Sequence, residues 1–214
     1  QEGVTFRDLA FAVIDEQHRF GVHQRMTLGA KGVATDVLVM TATPIPRTLT
    51  LTAYGDMDVS RLYEKPPGRK PVQTRVLPID RLDEVIDAIK RAISLRHLVY
   101  WVCPLVEESE ALDAIAAEQR HKTLKEIFGD QVGLLHGRMN ANEKDTVIAD
   151  FQSGHICILV ATTVIEVGVD IPQANIMVIE QAERFGLAQL HQLRGRVGRG
   201  TDTATCLLLY KPPL

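Results

Sequence analysis

The stretch VIDEQHRFGV, residues 13–22, runs from apolar residues into an acidic pair, Asp15-Glu16, with Gln17 and His18 directly behind. Carboxylates at the end of an apolar strand are placed to hold Mg²⁺ and to activate a water for attack on a phosphoryl group. Taken alone, the pair fits equally well with acids that cap a helix or face solvent. Three further stretches complement it. MTATPIPRTL (40–49) sets Thr41 and Thr43 after a second apolar run, with Pro44 and Pro46 stiffening the turn. By itself this also reads as a proline-braced connection with a threonine cap. LVATTVIEVGVDIP (159–172) offers Thr162 and Thr163, then Gly168 and Asp170. Hydroxyls and backbone N–H groups at a strand–helix turn suit phosphate contacts, those of a nucleic-acid backbone included, and they suit plain capping too. QLHQLRGRVGRG (189–200) interleaves Arg194, Arg196 and Arg199 with Gly195, Gly198 and Gly200. Arginine supplies a planar, permanently charged fork for phosphate oxygens, and glycine lets the backbone approach closely. A merely solvated surface has little use for that alternation.

The acidic pair would also need a phosphate cradle, usually a G-x-x-x-x-G-K-[ST] loop upstream. None of the residues before Asp15 forms one.

The elements that must position these residues follow from the apolar pattern. Short apolar runs alternate with amphipathic stretches, the signature of a parallel sheet covered by helices. Strands are expected at 9–14, 36–40, 72–79, 97–103, 131–136, 156–162, 175–181 and 203–210. Helices are expected at 46–55, 81–93, 109–128 and 140–154, the last with Asn140 as N-cap and Gly154 just past its end. YEKPPGRKP (63–71) has the proline-rich, basic composition of a linker. The expected organisation is therefore the end of one α/β domain (1–63), a linker (64–71) and a nearly complete second domain (72–214).

Bulk properties narrow the function classes. The net charge of −3 advertises no global affinity for nucleic acid, so any such contact would use a local patch. Cys103, Cys157 and Cys206 each sit in an apolar run and read as buried thiols, with no zinc-site spacing. No apolar stretch is long enough to cross a bilayer, and there is no signal peptide. The first residue is Gln rather than Met, and a fragment or processed product is expected.

Together, D-E-x-H, T-A-T, T-T…G-x-D and Q-x-x-G-R-x-G-R follow one another in a fixed order. In that combination the chain resembles superfamily 2 helicases, and more narrowly the RecG family. VIDEQHRFGVHQR, TATPIPRTL, YWVCPLVEESE, LLHGRMN and ATTVIEVGVD through LAQLHQLRGRVGRG carry the resemblance over essentially the whole chain. It implies an α/β fold, a RecA-like parallel sheet flanked by helices, in a P-loop NTPase helicase motor with ATP held between two such domains. It implies an ATP-dependent DNA helicase or translocase that remodels stalled forks and Holliday junctions in recombination and repair. ATP, Mg²⁺ and branched DNA are the implied ligands, in a cytoplasmic protein acting as a monomer without a membrane.

The resemblance also implies roles. Asp15 would coordinate Mg²⁺ and Glu16 would be the catalytic base. Gln17 and His18 complete the DEQH box, with His18 coupled to Thr41 and Thr43. Gln192 would approach the γ-phosphate, Arg196 and Arg199 would be arginine fingers, and Gly168 and Asp170 would lie near the nucleotide. Thr162 and Thr163 would contact the DNA backbone, with Arg138 and His136 as weaker candidates; His136 reads equally as a structural histidine. In the family the phosphate loop and a junction-engaging wedge domain lie upstream of the Asp-Glu box and a coupling segment lies downstream, so this chain alone is expected to be inactive. Two alternatives stay open. The motor of a transcription-repair coupling factor is similar but tends to carry Glu at the position of Gln17 and differs at HGRM and YWVCPLVEESE. A non-catalytic DNA-binding module would have no reason to keep both the Asp15-Glu16 pair and Arg196/Arg199.

Overall fold

The computed structural model describes residues 4, 6–15, 35–41, 58–64, 68–104, 110–162, 171, 173–200 and 202–212. The chain divides into two compact units, Gln1–Leu62 and Tyr63–Leu214.

In the first unit, β1 (Phe11–Ile14) and β2 (Asp36–Val39) pair in parallel, with Phe11 opposite Asp36 and Ile14 opposite Val39. The pairing continues past the strands, where the Met40 N–H donates to the Ile14 carbonyl at 2.8 Å. Ala12 and Ile14 are buried while Phe11 and Val13 are more than half exposed, as the two-residue period of a strand dictates. The helix expected over 46–55 lies outside the described residues.

The second unit is a six-stranded parallel sheet. Its strands are β3 (Gln73–Pro78), β4 (Leu98–Val102), β5 (Val132–Leu135), β6 (Ile158–Ala161), β7 (Ala174–Ile179) and β8 (Thr205–Tyr210). They stand in the order β3-β8-β7-β4-β6-β5. Among the described residues, four helices connect them: α1 (Leu82–Ser94), α2 (Glu110–Phe128), α3 (Ala141–Ser153) and α4 (Leu187–Arg194). Strand β4 is buried along its whole length, because a parallel sheet covered on both faces leaves no solvent side. Its residues divide between two cores. Leu98, Tyr100 and Val102 join Phe151 of α3 and Leu193 of α4 on one face. Val99 and Trp101 join Val85 and Ile89 of α1 and Ala117 and Leu124 of α2 on the other. The architecture is thus helix, sheet, helix.

Local chemistry sets the helix ends where the sequence expects them. The Asn140 Oδ1 accepts from the Glu143 N–H at 2.9 Å, and a Glu143 carboxylate oxygen accepts from the Asn140 N–H at 3.0 Å, a reciprocal capping box. Gly154 takes φ 80° just past the end of α3, in the left-handed region that a side chain disfavours. The apolar pattern gives no notice of α4. Leu193 is buried and Leu190 packs on the core, but Leu187 is 86% exposed, so its apolar stripe is short and incomplete.

One polar cluster is largely buried. The Trp101 indole N–H donates to a Glu180 carboxylate oxygen, and Arg120 donates to the other at 3.0 Å while lying over the indole ring. A buried carboxylate demands such partners. The cluster fastens α2 to the ends of β4 and β7. All three cysteines are buried and free. Burial pushes the Cys206 thiol up to about 12 and raises Cys103 and Cys157 as well, which keeps them protonated and inert.

Candidate functional site

In a parallel sheet, a segment that follows a strand lies at the sheet's C-terminal edge, and a segment that leads into a strand lies at its N-terminal edge. That rule sorts the functional residues.

In the first unit, Asp15 directly follows Ile14 at the C-terminal end of β1 and is exposed. Thr41 lies two residues past the end of β2 and is half-buried. The in-register pairing of β1 and β2 brings the two to one edge. Glu16, Gln17, His18 and Thr43 lie outside the described residues. Among the described residues, no cluster of three or more His, Cys, Asp or Glu side chains forms a metal site.

In the second unit, the C-terminal edge holds the segments after β5 and β6. Arg138 is exposed there. His136 is largely enclosed, with its Nε2 at 3.6 Å from a Glu118 carboxylate oxygen on α2. Thr162 is 2% exposed, and its N–H donates to the Leu135 carbonyl at 3.3 Å, so it closes the β5–β6 edge. Lys144 donates to the Gly137 carbonyl at 2.9 Å and pins the loop between β5 and α3. Thr163, Gly168 and Asp170 lie outside the described residues.

The arginine-glycine turn sits at the opposite edge. Helix α4 crosses one face of the sheet after β7, and its C-terminal end therefore delivers residues 195–200 to the N-terminal edge. The Gly198 N–H donates to the carbonyl of Ala174, the first residue of β7, at 3.4 Å. Gly198 has φ 71°, and a Cβ added there would come within 2.9 Å of the Ala204 Cβ and 3.1 Å of a Val72 methyl. Only glycine satisfies both demands. The turn is thereby held against the starts of β3, β7 and β8. Gln192 is half-buried on the last turns of α4, Arg196 is half-buried and Arg199 is exposed. The Arg199 Nε donates to the Gly195 carbonyl at 3.3 Å, and Arg194 bonds the His191 Nδ1 at 3.0 Å. The turn thus presents guanidiniums from a backbone fixed by the sheet, an arrangement suited to an anion with several oxygens.

Two features escape sequence reasoning. The Trp101–Glu180–Arg120 cluster joins residues far apart in the chain, and no spacing signals it. Arg69, whose Nη2 donates to the Gly195 carbonyl at 3.3 Å, lies in a stretch that reads only as a linker.

The model of the helicase conserved C-terminal domain matches residues 80–201. The ATP-dependent DNA helicase RecG of Acidithiobacillus ferridurans is 57% identical over 215 residues, covering 100% of this chain and 31% of that protein. RecG of Escherichia coli is 56% identical over 220 residues, covering 100% and 32%. The chain therefore spans about a third of the length of these curated relatives. A solved structure of RecG bound to a three-way DNA junction superposes with a TM-score of 0.76 at 46% identity, covering 100% of this chain and 27% of that one. A point variant of S. cerevisiae Dbp5 bound to RNA and ADP BeF3 matches at 17% identity with a TM-score of 0.68, covering 95% of this chain and 54% of that one, a likeness of fold alone. The six-stranded sheet with helices on both faces is the RecA-like fold that the motifs led one to expect.

Proposed function

This chain belongs to the helicase conserved C-terminal domain family, and on that premise we propose that it is the motor portion of a RecG-like, ATP-dependent DNA helicase. The proposed work is remodelling of branched DNA, stalled forks and Holliday junctions, in recombination and repair. The protein would act in the cytoplasm as a monomer; no helix of the described residues is long and apolar enough to cross a membrane.

The observation that carries the reading is the turn after α4, where Gly198 bonds and packs against the starts of the strands and Arg196 and Arg199 stand on either side of it. In the proposed mechanism this turn meets ATP held by the other unit. Charge builds on the γ-phosphoryl oxygens as the bond to the leaving group breaks, and guanidiniums placed there stabilise that state more than the ground state. Gln192, one turn before them, would approach the γ-phosphate or its attacking water. Glu16 would take the proton of that water, and His18, Thr41 and Thr43 would connect the carboxylates to the bound strand. Gly168 and Asp170 would border the nucleotide.

An exposed carboxylate at a strand end suits Mg²⁺, which binds one or two carboxylates and keeps several waters, so Asp15 is the residue that would hold it. When bound, the ion would neutralise charge on the phosphate oxygens. At the other edge, exposed Arg138 would contact the DNA backbone. The burial of Thr162 favours a supporting role for it, and Thr163 would be the contact to the DNA backbone.

The test is ATP turnover by the complete protein with and without a three-way DNA junction. Junction-stimulated turnover that disappears on Glu16→Gln is expected. A protein that binds the junction but shows no turnover would overturn the motor reading in favour of a binding module.

A further inference from the structure

Within the linker-like stretch, Arg69 reaches the arginine turn. Its side chain is half-buried, and its Nη2 donates to the Gly195 carbonyl at 3.3 Å. The Arg199 Nε donates to the same carbonyl, also at 3.3 Å. Gly195 follows the last residue of α4, where backbone carbonyls lack helical partners and the helix dipole favours a cation. A carbonyl has two lone pairs, so it can serve both guanidiniums at once.

Two more contacts extend the seam. A Val72 methyl lies against Gly198, and the Gln73 N–H donates to the Ala204 carbonyl at 2.9 Å. From residue 69 to residue 73, the chain that arrives from the first unit therefore runs along the turn that carries Arg196 and Arg199. Glycines at 195, 198 and 200 give that turn little stiffness of its own. Whatever fixes the Gly195 carbonyl fixes the base from which Arg199 projects.

We propose that Arg69 is a positioning residue: by holding the Gly195 carbonyl it ties the linker to the arginine turn, so that the linker's end sets where Arg196 and Arg199 stand. The catalytic half of this proposal rests on the motor reading above. Chains of packed and hydrogen-bonded contacts can carry coupling of this kind, and the seam supplies them. The opposing possibility is an arginine whose bond to the turn has no consequence.

Two measurements on Arg69→Ala and Arg69→Lys decide between them. The first is amide hydrogen exchange in the 214-residue chain. Arg69→Ala should speed exchange of the amides at 195–199 by about 5-fold or more while β4 is unchanged, with Arg69→Lys in between. The second is DNA-stimulated ATP turnover by the complete protein. Because a misplaced catalytic group loses rate rather than affinity, kcat should fall about 10-fold while the KM for ATP moves by less than about 2-fold, and Arg69→Lys should restore part of the loss. Unchanged exchange overturns the proposal. So does faster exchange with wild-type kcat, or a fall in kcat matched by a general loss of melting temperature. If the wild-type protein shows no turnover at all, the motor reading fails, and the exchange experiment alone then decides whether Arg69 holds the turn.

Discussion

The two edges of the six-stranded sheet are held together in different ways. At the C-terminal edge, the loop carrying Arg138 is secured mainly by bonds between near neighbours, Asn140 with Glu143, Lys144 with the Gly137 carbonyl, and the Met139 N–H with the His136 carbonyl, with the approach of His136 to Glu118 on α2 as a longer-range contact. At the N-terminal edge, the arginine turn is secured by partners far away in sequence. Arg69 reaches Gly195 across 126 residues, Gly198 reaches Ala174, and Val72 and Gln73 meet Gly198 and Ala204. A backbone-binding surface tolerates small displacements, because a nucleic-acid strand can adjust to it. A group that must meet a transition state does not, since misplacement by about 1 Å can cost about 10²-fold in rate. Long-range anchoring suits the second demand.

The sharpest way to break this comparison is to remove the arginines. In the complete protein, Arg196→Ala or Arg199→Ala should lower kcat by at least ~10²-fold, since arginine fingers contribute on the order of 10³–10⁵. Stability should move by about 0.5 kcal/mol or less for exposed Arg199, as for other surface substitutions. Turnover with junction DNA and the melting temperature of each variant provide the check; a melting loss that matches the activity loss would remove the turn from the chemistry.

The anchoring itself is tested by Gly198→Ala. Left-handed backbone and a 2.9 Å approach to Ala204 should together destabilise the fold by about 2–3 kcal/mol in urea denaturation. A neutral result would mean that the turn is not pinned to the sheet.

At the opposite edge, Arg138→Ala should weaken junction binding several-fold, about equally for all sequences, and reduce the slope of log affinity against log salt by about 1. An unchanged salt slope would take Arg138 off the DNA. The smallest effect belongs to the local bonds. Asn140→Ala removes half of the capping box and should cost about 1 kcal/mol, again read by urea denaturation. A loss as large as that of Gly198→Ala would erase the distinction between the edges.

Much of this was legible from residue types. The strands appear within a residue or two of the apolar runs, and the capping box and Gly154 stand where short-range chemistry puts them, because such bonds join residues three or four apart. The motifs also named the side chains that are proposed to carry chemistry. Helix α4 was not legible, since its apolar stripe is completed only by contact with the core through Leu190 and Leu193. Without α4, the arginine turn had no assigned edge. Arg69 was hidden for a related reason: linker composition describes the solvated chain and says nothing of a carbonyl 126 residues away.

The period of each element, its caps, the family resemblance and the inventory of charged and hydroxyl side chains could all be read before any fold was known, because they depend on neighbours along the chain. Long-range packing instead settles the strand order β3-β8-β7-β4-β6-β5, the burial of Thr162, the largely buried Trp101–Glu180–Arg120 cluster and the sharing of the Gly195 carbonyl between Arg69 and Arg199. The physical reason is range: a cap or a period is fixed by hydrogen bonds and side-chain spacing within one turn or one strand, whereas burial and long-range bonds are fixed only when distant segments compete for the same core.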